Sequence, residues 1–134
     1  MNRPATQSDI DLIREGSVEG PIKDYVLPCG DKVALYDDNG VWGVGGVVIL
    51  KEGVGELWFI LKKVDMSARA IMKEVSQQVQ GYIDKFNLIR AQTVVRSDFK
   101  AGIRMMEFLG FEREGLLRKY LPGDFDGFMY ARIP

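Results

Sequence analysis

The sequence predicts an α+β fold, with one mixed β-sheet of six to seven strands flanked by about four helices in three layers. Short apolar runs typical of strands occur on both sides of a segment whose apolar residues repeat every three or four positions. Three strands come in succession before that helical segment, and a pair of strands ends the chain. This order is typical of one sheet covered by helices.

The chain begins with a predicted strand at residues 3–5 and a short helix. Thr6 or Ser8 is expected to cap this helix, with an aspartate three residues later, as in a capping box. The apolar face of the helix is formed by Ile10, Leu12 and Ile13. A weaker pattern at residues 18–26 indicates a second short helix, interrupted by prolines.

Three consecutive strands are predicted at residues 32–36, 41–50 and 55–62. The Asn39-Gly40 pair between the first two fits a type I′ hairpin turn. The third strand, GELWFILK, is apolar on both faces, so it is expected at the centre of the sheet.

The second half alternates helices and strands. Apolar residues from Ile71 to Phe86 recur with helical spacing and predict an amphipathic helix of about five turns. A strand at 88–95 follows, with Ile89, Ala91, Thr93 and Val95 on one face. A helix at 98–109 is expected to end at Gly110 in the left-handed conformation. The last predicted strands are residues 116–121 and 128–133.

Composition limits the classes of function. The length of 134 residues suits a single domain, 1–134, and the net charge of −1 gives no general attraction to nucleic acid or to an anionic membrane. Cys29 is the sole cysteine, which excludes an intrachain disulfide and favours a reducing, cytoplasmic location. The chain has no histidine, which excludes serine–histidine triads and histidine-bound zinc. The first ten residues lack the apolar segment of a signal peptide.

Several segments resemble the GNAT N-acetyltransferase superfamily. RPATQSDIDLI is similar to the family's first strand and helix, VALYDDNGVWGVGGVVIL to its next hairpin, and GELWFIL to its fourth strand. The C-terminal segment VVRSDFKAGIRMMEFLGFEREGLLRKYLPGDFDGFMYARI resembles the family's fifth strand, fourth helix and closing hairpin. Together these segments span nearly the whole chain, and they also look like small bacteriophage proteins with an altered cofactor loop.

This resemblance implies an acetyl-CoA site between GELWFIL and LIRAQTVV. In the family, backbone groups of the fourth strand bind the pantetheine arm, and a glycine-containing helix start binds the pyrophosphate. The corresponding segment here, KKVDMSARAIMKEV, contains no glycine, although small and basic residues remain. The cofactor-binding residues implied by the resemblance are Phe59, Ile60, Leu61, Lys63, Ser67, Ala68, Arg69, Ala70, Arg96 and Lys100. For the last two, solvated helix charge is the competing interpretation.

The resemblance also implies positions for proton transfer. Glu56 matches the family's fourth-strand glutamate, which would accept a proton from the attacking amine; the competing interpretation is an exposed residue after a turn. The family's helical tyrosine is replaced by Met106, which cannot donate a proton. Tyr120 or Tyr130 on the closing hairpin could donate instead, although cross-strand packing also explains both.

The glycine-rich stretch GVGGV, residues 43–47, is not a nucleotide-binding loop. No helix follows it, so the dinucleotide fingerprint fails. Glycines inside a strand mark a bulge or a close approach of other atoms to the backbone, which is the expectation here.

Two functions of different class remain open. The first is an N-acetyltransferase in which a primary amine of a small molecule or peptide attacks acetyl-CoA directly. The alternative is a non-catalytic protein with the same fold, acting as a structural or protein-interaction module, for instance in a bacteriophage virion. A homodimer or phage structural proteins are the partners considered.

Overall fold

The structure is a computed structural model that describes residues 1–17, 30–62 and 65–134. Seven strands form one mixed sheet, and these are β1 Asn2–Pro4, β2 Asp31–Asp37, β3 Gly40–Lys51, β4 Val54–Leu61, β5 Arg90–Arg96, β6 Glu112–Leu121 and β7 Phe125–Arg132. The described helices are α1 Gln7–Glu15, α2 Ala68–Phe86 and α3 Lys100–Phe108.

The strands lie in the order β1-β2-β3-β4-β5-β7-β6. The β4–β5 pair is parallel, and the other neighbouring pairs are antiparallel. The predicted mixed sheet covered by helices is therefore confirmed. Three helices lie in the described ranges where about four were predicted. The helix predicted at residues 18–26, like Cys29, lies outside the described residues.

The two faces of the sheet carry separate cores. The face covered by α2 and α3, called here the α2 face, holds the larger core, with residues such as Leu35, Leu57, Val79, Ala91 and Tyr130. The opposite face, called here the α1 face, holds a smaller core formed by Ile10, Ile13, Ala34, Val44, Trp58 and Ile60. Among the described residues, the larger core includes residues of β2 to β5 and β7, whereas the smaller core includes residues of α1 and β2 to β4.

The start of the chain follows the predicted capping box. Thr6 is the N-cap of α1, its hydroxyl accepts a hydrogen bond from the backbone N–H of Asp9, and the Asp9 carboxylate accepts one from the backbone N–H of Thr6. Ile10 and Ile13 are buried as expected, but Leu12 is 54% exposed. The prediction that Leu12 belongs to the buried face of α1 is wrong, because α1 packs on the sheet through a narrow stripe of its surface that excludes Leu12.

The predicted type I′ turn between β2 and β3 is wrong. A type I′ turn needs positive φ at both central residues, here Asp38 and Asn39, and neither has it. Instead the Asp37 carboxylate accepts a hydrogen bond from the backbone N–H of Asn39 at 2.8 Å, and Gly40 takes the positive φ of 111°. The aspartate side chain therefore stabilises a different turn at the predicted place.

Ile89 does not share the buried face of β5. Strand β5 begins at Arg90, and the Ile89 side chain is 69% exposed beside Gly53. Leu88, 4% exposed, fills the core position at this end instead. Ala91, Thr93 and Val95 are buried on one face as predicted.

The helix–strand junction after α3 agrees with its prediction. Gly110 has a positive φ of 81°, and the backbone N–H of Phe111 donates to the carbonyl of Met106 at 3.0 Å. Phe111 is 4% exposed and packs into the larger core.

The closing hairpin is longer than predicted. Strand β6 begins at Glu112 rather than at residue 116, and β7 begins at Phe125 rather than at residue 128. The extra residues of β6, Glu112 to Gly115, are mostly exposed and polar. They carry no apolar pattern by which the strand could be predicted from sequence.

Candidate active site

The sheet opens between its two parallel strands. Strands β4 and β5 pair at three positions, with Val54 opposite Arg90, Gly55 opposite Ala91 and Glu56 opposite Gln92. Beyond Glu56 both strands continue, to Leu61 and Arg96, with no further β4–β5 pairing in the ranges described. The strands therefore diverge, and Glu56 stands where the opening begins.

The backbone of β4 turns alternate residues toward this opening. The backbone N–H of Lys62 donates to the carbonyl of Trp42 on β3 at 2.9 Å, and the register is regular from there to Gly55. Backbone groups of antiparallel strands alternate in direction, so those of Ile60 point toward β3. Those of Phe59 and Leu61 point toward the opening. Of the three β4 residues predicted to bind the cofactor through their backbone, two have the required direction.

The segment after α1 reaches the far end of β4. Ser17 forms an isolated antiparallel bridge with Lys62. This bridge lies at the opposite end of β4 from the β4–β5 pairs.

Side chains of β4 lie over glycines of β3. A Cβ atom built on Gly45 would lie 2.6 Å from Cε1 of Phe59, and one on Gly46 would lie 2.8 Å from Nε1 of Trp58. The stretch GVGGV thus allows close approach of side chains to the backbone of a strand, as predicted.

The start of α2 lies at the same edge of the sheet as the wide end of the opening. Ser67 is the N-cap, and its hydroxyl accepts a hydrogen bond from the backbone N–H of Ala70 at 3.1 Å. The first turn holds no acidic residue, and Arg69 is exposed. Backbone N–H groups of Ala68 and Arg69 precede the first helical hydrogen bond, so they are directed outward as donors for an anion. Lys63 lies outside the described residues.

Arg96 and Lys100 lie on different sides of the sheet edge. Lys100 is the exposed first residue of α3, which follows β5 as α2 follows β4. Because β4 and β5 are parallel, the starts of both helices flank the same end of the opening. Arg96 shares the α1 face with Gln92; its Nε donates to Asp98 at 2.6 Å, and its guanidinium lies 4.4 Å from the centre of the Phe125 ring. Lys100 is therefore better placed than Arg96 for phosphates near α2.

Glu56 ends a line of hydrogen-bonded side chains. Its Oε1 accepts from Nε2 of Gln92 at 3.3 Å, and Oε1 of Gln92 accepts from Nε of Arg90 at 2.9 Å. The Arg90 guanidinium in turn donates to both carboxylate oxygens of Glu114 on β6, at 3.1 and 2.5 Å. Glu56 is half-buried and is the third residue of β4, so the view of it as an exposed residue after a turn is wrong.

The electrostatics of this line are asymmetric. The Arg90 guanidinium holds the pKa of the Glu114 carboxyl below its usual range, and Glu114 raises the pKa of Arg90. Glu114 is thus neutralised by its partner. Glu56 receives a hydrogen bond from a neutral amide and, within the described part of the chain, forms no ion pair.

The tyrosines considered as proton donors lie away from Glu56. Glu56, Gln92, Ala131 and Glu112 form one row across the sheet, whereas Tyr120 lies beyond the row of Arg96 and Leu117. From strand spacings, Tyr120 is about 14 Å across and at least about 13 Å along the sheet from Glu56. It is 55% exposed.

Tyr130 and Met106 both belong to the larger core. Tyr130 is 1% exposed, and its hydroxyl accepts from Nε and Nη2 of Arg113 at 3.2 and 3.1 Å. Met106 is 5% exposed. Both are therefore packed in the core, which for Tyr130 agrees with the alternative interpretation of cross-strand packing.

Sequence reasoning missed Gln92, Arg90 and Glu114. Alternating polar residues on a strand that is otherwise buried were the available signal, since Arg90, Gln92 and Arg96 interrupt an apolar strand. The partner on β6 had no signal, because the pairing of β5, β7 and β6 is not visible in the sequence.

The described residues contain neither a metal-binding cluster nor a membrane-spanning helix. No group of three or more acidic or cysteine side chains there could hold a metal ion. None of the three helices is long and apolar enough to cross a membrane.

This topology, with an opening between its parallel strands, is that of the GNAT acyl-CoA N-acyltransferase fold. An Ard1 protein from Thermoplasma volcanium superimposes with a TM-score of 0.80 at 13% identity, over 99% of this chain and 96% of that one. A point mutant of spermidine N-acetyltransferase from Vibrio cholerae gives 0.79 at 12% identity, over 99% and 94%.

A ribosomal-protein-alanine N-acetyltransferase from Brucella melitensis gives a TM-score of 0.75 at 13% identity, over 100% of this chain and 99% of that one. No protein-family model matches the sequence, and no curated protein matches it significantly. At these identities the similarity shows the fold, and the resemblance noted in the sequence is confirmed at that level.

Proposed function

We propose that this protein is an N-acetyltransferase that transfers an acetyl group from acetyl-CoA to a primary amine. The observation that carries the proposal is the opening between β4 and β5, which begins at a carboxylate, Glu56. Acetyl-CoA would supply the activated thioester.

The residues around the opening fit this cofactor. Backbone groups of Phe59 and Leu61 point into it and can pair with an extended amide-bearing arm, as a neighbouring strand would. The start of α2 offers outward N–H donors, with Arg69 and Lys100 exposed at the same edge for phosphate groups. These donors are backbone N–H groups at a helix end, so they can bind a phosphate without a glycine. A glycine would only let the phosphate approach the backbone more closely.

Glu56 would accept the proton of the amine. Oε1 is occupied by Gln92, which leaves Oε2 as the proton acceptor. After Glu56 has taken one proton from the ammonium group, the amine nitrogen bonds to the carbonyl carbon and the carbon–sulfur bond breaks. The thiolate takes the second proton, which the nitrogen loses on becoming an amide, and the proton on Glu56 passes to solvent. Orientation of the two reactants supplies much of the acceleration in such a transfer. Tyr120 has no role in this scheme because of its distance from Glu56.

The acceptor is proposed to be a cationic amine of a small molecule or a peptide. The described side-chain partner of Glu56 is a neutral amide, and no cationic side chain among the described residues pairs with it. A carboxylate without a cationic partner attracts an ammonium group and can then remove its proton. The single cysteine supports a reducing, cytoplasmic location for this activity.

Calorimetric titration with acetyl-CoA tests the proposal. Wild type should bind with a dissociation constant in the micromolar range, about −8 kcal/mol. Arg69→Glu should weaken binding by about tenfold or more, since it places a negative charge at the phosphate end. Arg118→Glu makes the same charge change on the exposed part of β6 and should leave the affinity unchanged. No heat at millimolar acetyl-CoA would contradict the proposal.

Gln92→Leu should lower kcat while leaving the affinity for acetyl-CoA unchanged. The variant keeps the volume of the side chain but removes the donor that holds Glu56. One hydrogen bond of about 1 kcal/mol corresponds to roughly a fivefold loss of rate. Steady-state kinetics and calorimetry on the same preparations measure the two quantities. An equal loss in a Glu56→Gln background would show that Gln92 does not act through Glu56.

A non-catalytic role is the second candidate, and two observations favour it. The cofactor segment, residues 62–70, contains no glycine, and Met106 in the core stands where the family has a tyrosine. In this case the fold would be an interaction module, for instance with bacteriophage structural proteins or with a second copy of the chain. An absence of acetyl-CoA binding in the titration would favour this candidate.

A further inference from the structure

We propose that glycines on the strands beside the opening keep it clear by receiving the side chains of the two strands that border it. The inference rests on the proposed function, because it concerns the fit of an acyl-CoA between β4 and β5. It assigns a role to four glycines that have no side chain to contact a ligand, namely Gly43, Gly45, Gly46 and Gly127.

On the β4 side, three large side chains lean away from the opening. Phe59 lies over Gly45 on the α2 face, and Leu61 lies over Gly43, where a Cβ would be 2.9 Å from Leu61 Cδ2. Trp58 lies over Gly46 on the opposite face, where a Cβ would be 2.8 Å from Nε1 and 2.9 Å from Cε2. Each position on β3 is the direct cross-strand partner of its β4 residue.

The same arrangement occurs across the opening. Val94 of β5 approaches Gly127 of β7 so closely that a Cβ on Gly127 would overlap its Cγ1. Strand β7 lies on the side of β5 away from β4. Side chains on both borders of the opening therefore lean outward, each over a glycine of the next strand.

Packing alone directs these side chains. Trp58 is buried, with 8% of its surface exposed. Among residues 1–17, 30–62 and 65–134, its indole N–H has no hydrogen-bond partner. Because this N–H has no partner, no polar contact selects the orientation of the ring. The unpaired N–H is itself unfavourable, so packing must outweigh its cost. The space that Gly46 leaves is what allows it.

A side chain on a strand stands above its own backbone and can lean toward either neighbouring strand. If Gly45 gains a Cβ, the Phe59 ring cannot stay where it is, because the atoms would be 2.6 Å apart at Cε1. The other neighbour of β4 is the opening. The ring would then occupy space that an acyl-CoA needs.

The test is a pair of substitutions measured for acetyl-CoA affinity by calorimetry. Gly45→Ala should weaken binding by about tenfold or more. Adding Phe59→Leu to that variant should restore binding to about the wild-type value, because the smaller side chain fits beside alanine. Gly81→Ala is the matched control, since a Cβ there meets nothing within 4 Å, and it should bind as wild type does.

A measurement without ligand separates this inference from the proposed function. In the free protein, a ring over Gly45 should shift its Hα resonances upfield, and Phe59→Leu should remove that shift. An absent shift, or unchanged affinity in Gly45→Ala, overturns the inference. Loss of binding that Phe59→Leu does not restore in a folded double variant also overturns it. If wild type binds no acetyl-CoA, the proposed function fails, while the resonance shift still reports whether the ring lies on Gly45.

Discussion

Glu56→Gln should lower kcat for acetyl transfer by about 10²-fold to 10⁴-fold, the usual contribution of a general base. The amide keeps the size of the side chain but cannot accept the proton of the amine. The affinity for acetyl-CoA should change little, because Glu56 lies where the opening begins and the phosphates are proposed to bind near the start of α2. Initial rates at saturating acetyl-CoA, with calorimetry for affinity, measure both effects.

Glu114→Gln is the matched control for this prediction. It makes the same chemical change at the other end of the line of hydrogen bonds, on a carboxylate already paired with Arg90. Its effect on kcat should be far smaller than that of Glu56→Gln. Equal effects of the two changes, or an active Glu56→Gln enzyme, would remove Glu56 as the base.

Asp9→Asn should lower the free energy of unfolding at pH 7 by about 2 kcal/mol, the range for hydrogen bonds to a charged group. The Asp9 carboxylate accepts from Nη1 and Nη2 of Arg3 at 2.7 and 2.9 Å, and also from the backbone and the hydroxyl of Thr6. Its side chain is 10% exposed, but that of Arg3 is 42% exposed, so solvent moderates the pair. Urea unfolding measures the change.

The stabilisation by Asp9 should depend on pH. The hydrogen bonds from Arg3, followed by those from Thr6, hold the pKa of Asp9 well below its usual range. A lowered pKa in the folded state stabilises the fold above the unfolded value of about 3.9, and the gain disappears as pH falls below it. The gap between wild type and Asp9→Asn should therefore close on acidification. For comparison, Asp11→Asn on the exposed side of α1 should cost less than about 0.5 kcal/mol; a constant gap for Asp9 would contradict the assignment.

Local signals in the sequence predicted most elements because each depends on neighbouring residues. The capping box at Thr6, the amphipathic helix α2 and the glycine stop after α3 all depend on residues within one or two turns. The type I′ turn predicted at Asn39-Gly40 is wrong because the Asp37 carboxylate accepts a hydrogen bond from the backbone N–H of Asn39 and stabilises a different turn. The confirmed capping box and the wrong turn type both depend on hydrogen bonds between residues close in sequence.

The candidate site was less predictable because it depends on contacts between distant residues. Glu56 could be chosen by family resemblance, but its hydrogen bond to Gln92 joins residues 36 positions apart. The separation of Tyr120 from Glu56 follows from the placement of β7 between β5 and β6, which no local pattern indicates. The lean of Phe59 toward Gly45 is likewise a property of strand register.

The uneven distribution of the two cores has a mechanical consequence. Strands β1 to β4 and strands β5 to β7 are joined directly by three residue pairs, yet on the α2 face a single core spans both groups. On the α1 face, the described residues of the smaller core belong to the first group and to α1. In the described part of the chain the two groups of strands therefore share a core on the α2 face, whereas the hydrogen bond from Gln92 to Glu56 links them on the α1 face. We expect a small relative rotation of the two groups to change the α1 side first, because it would disrupt one side-chain hydrogen bond there rather than a shared core.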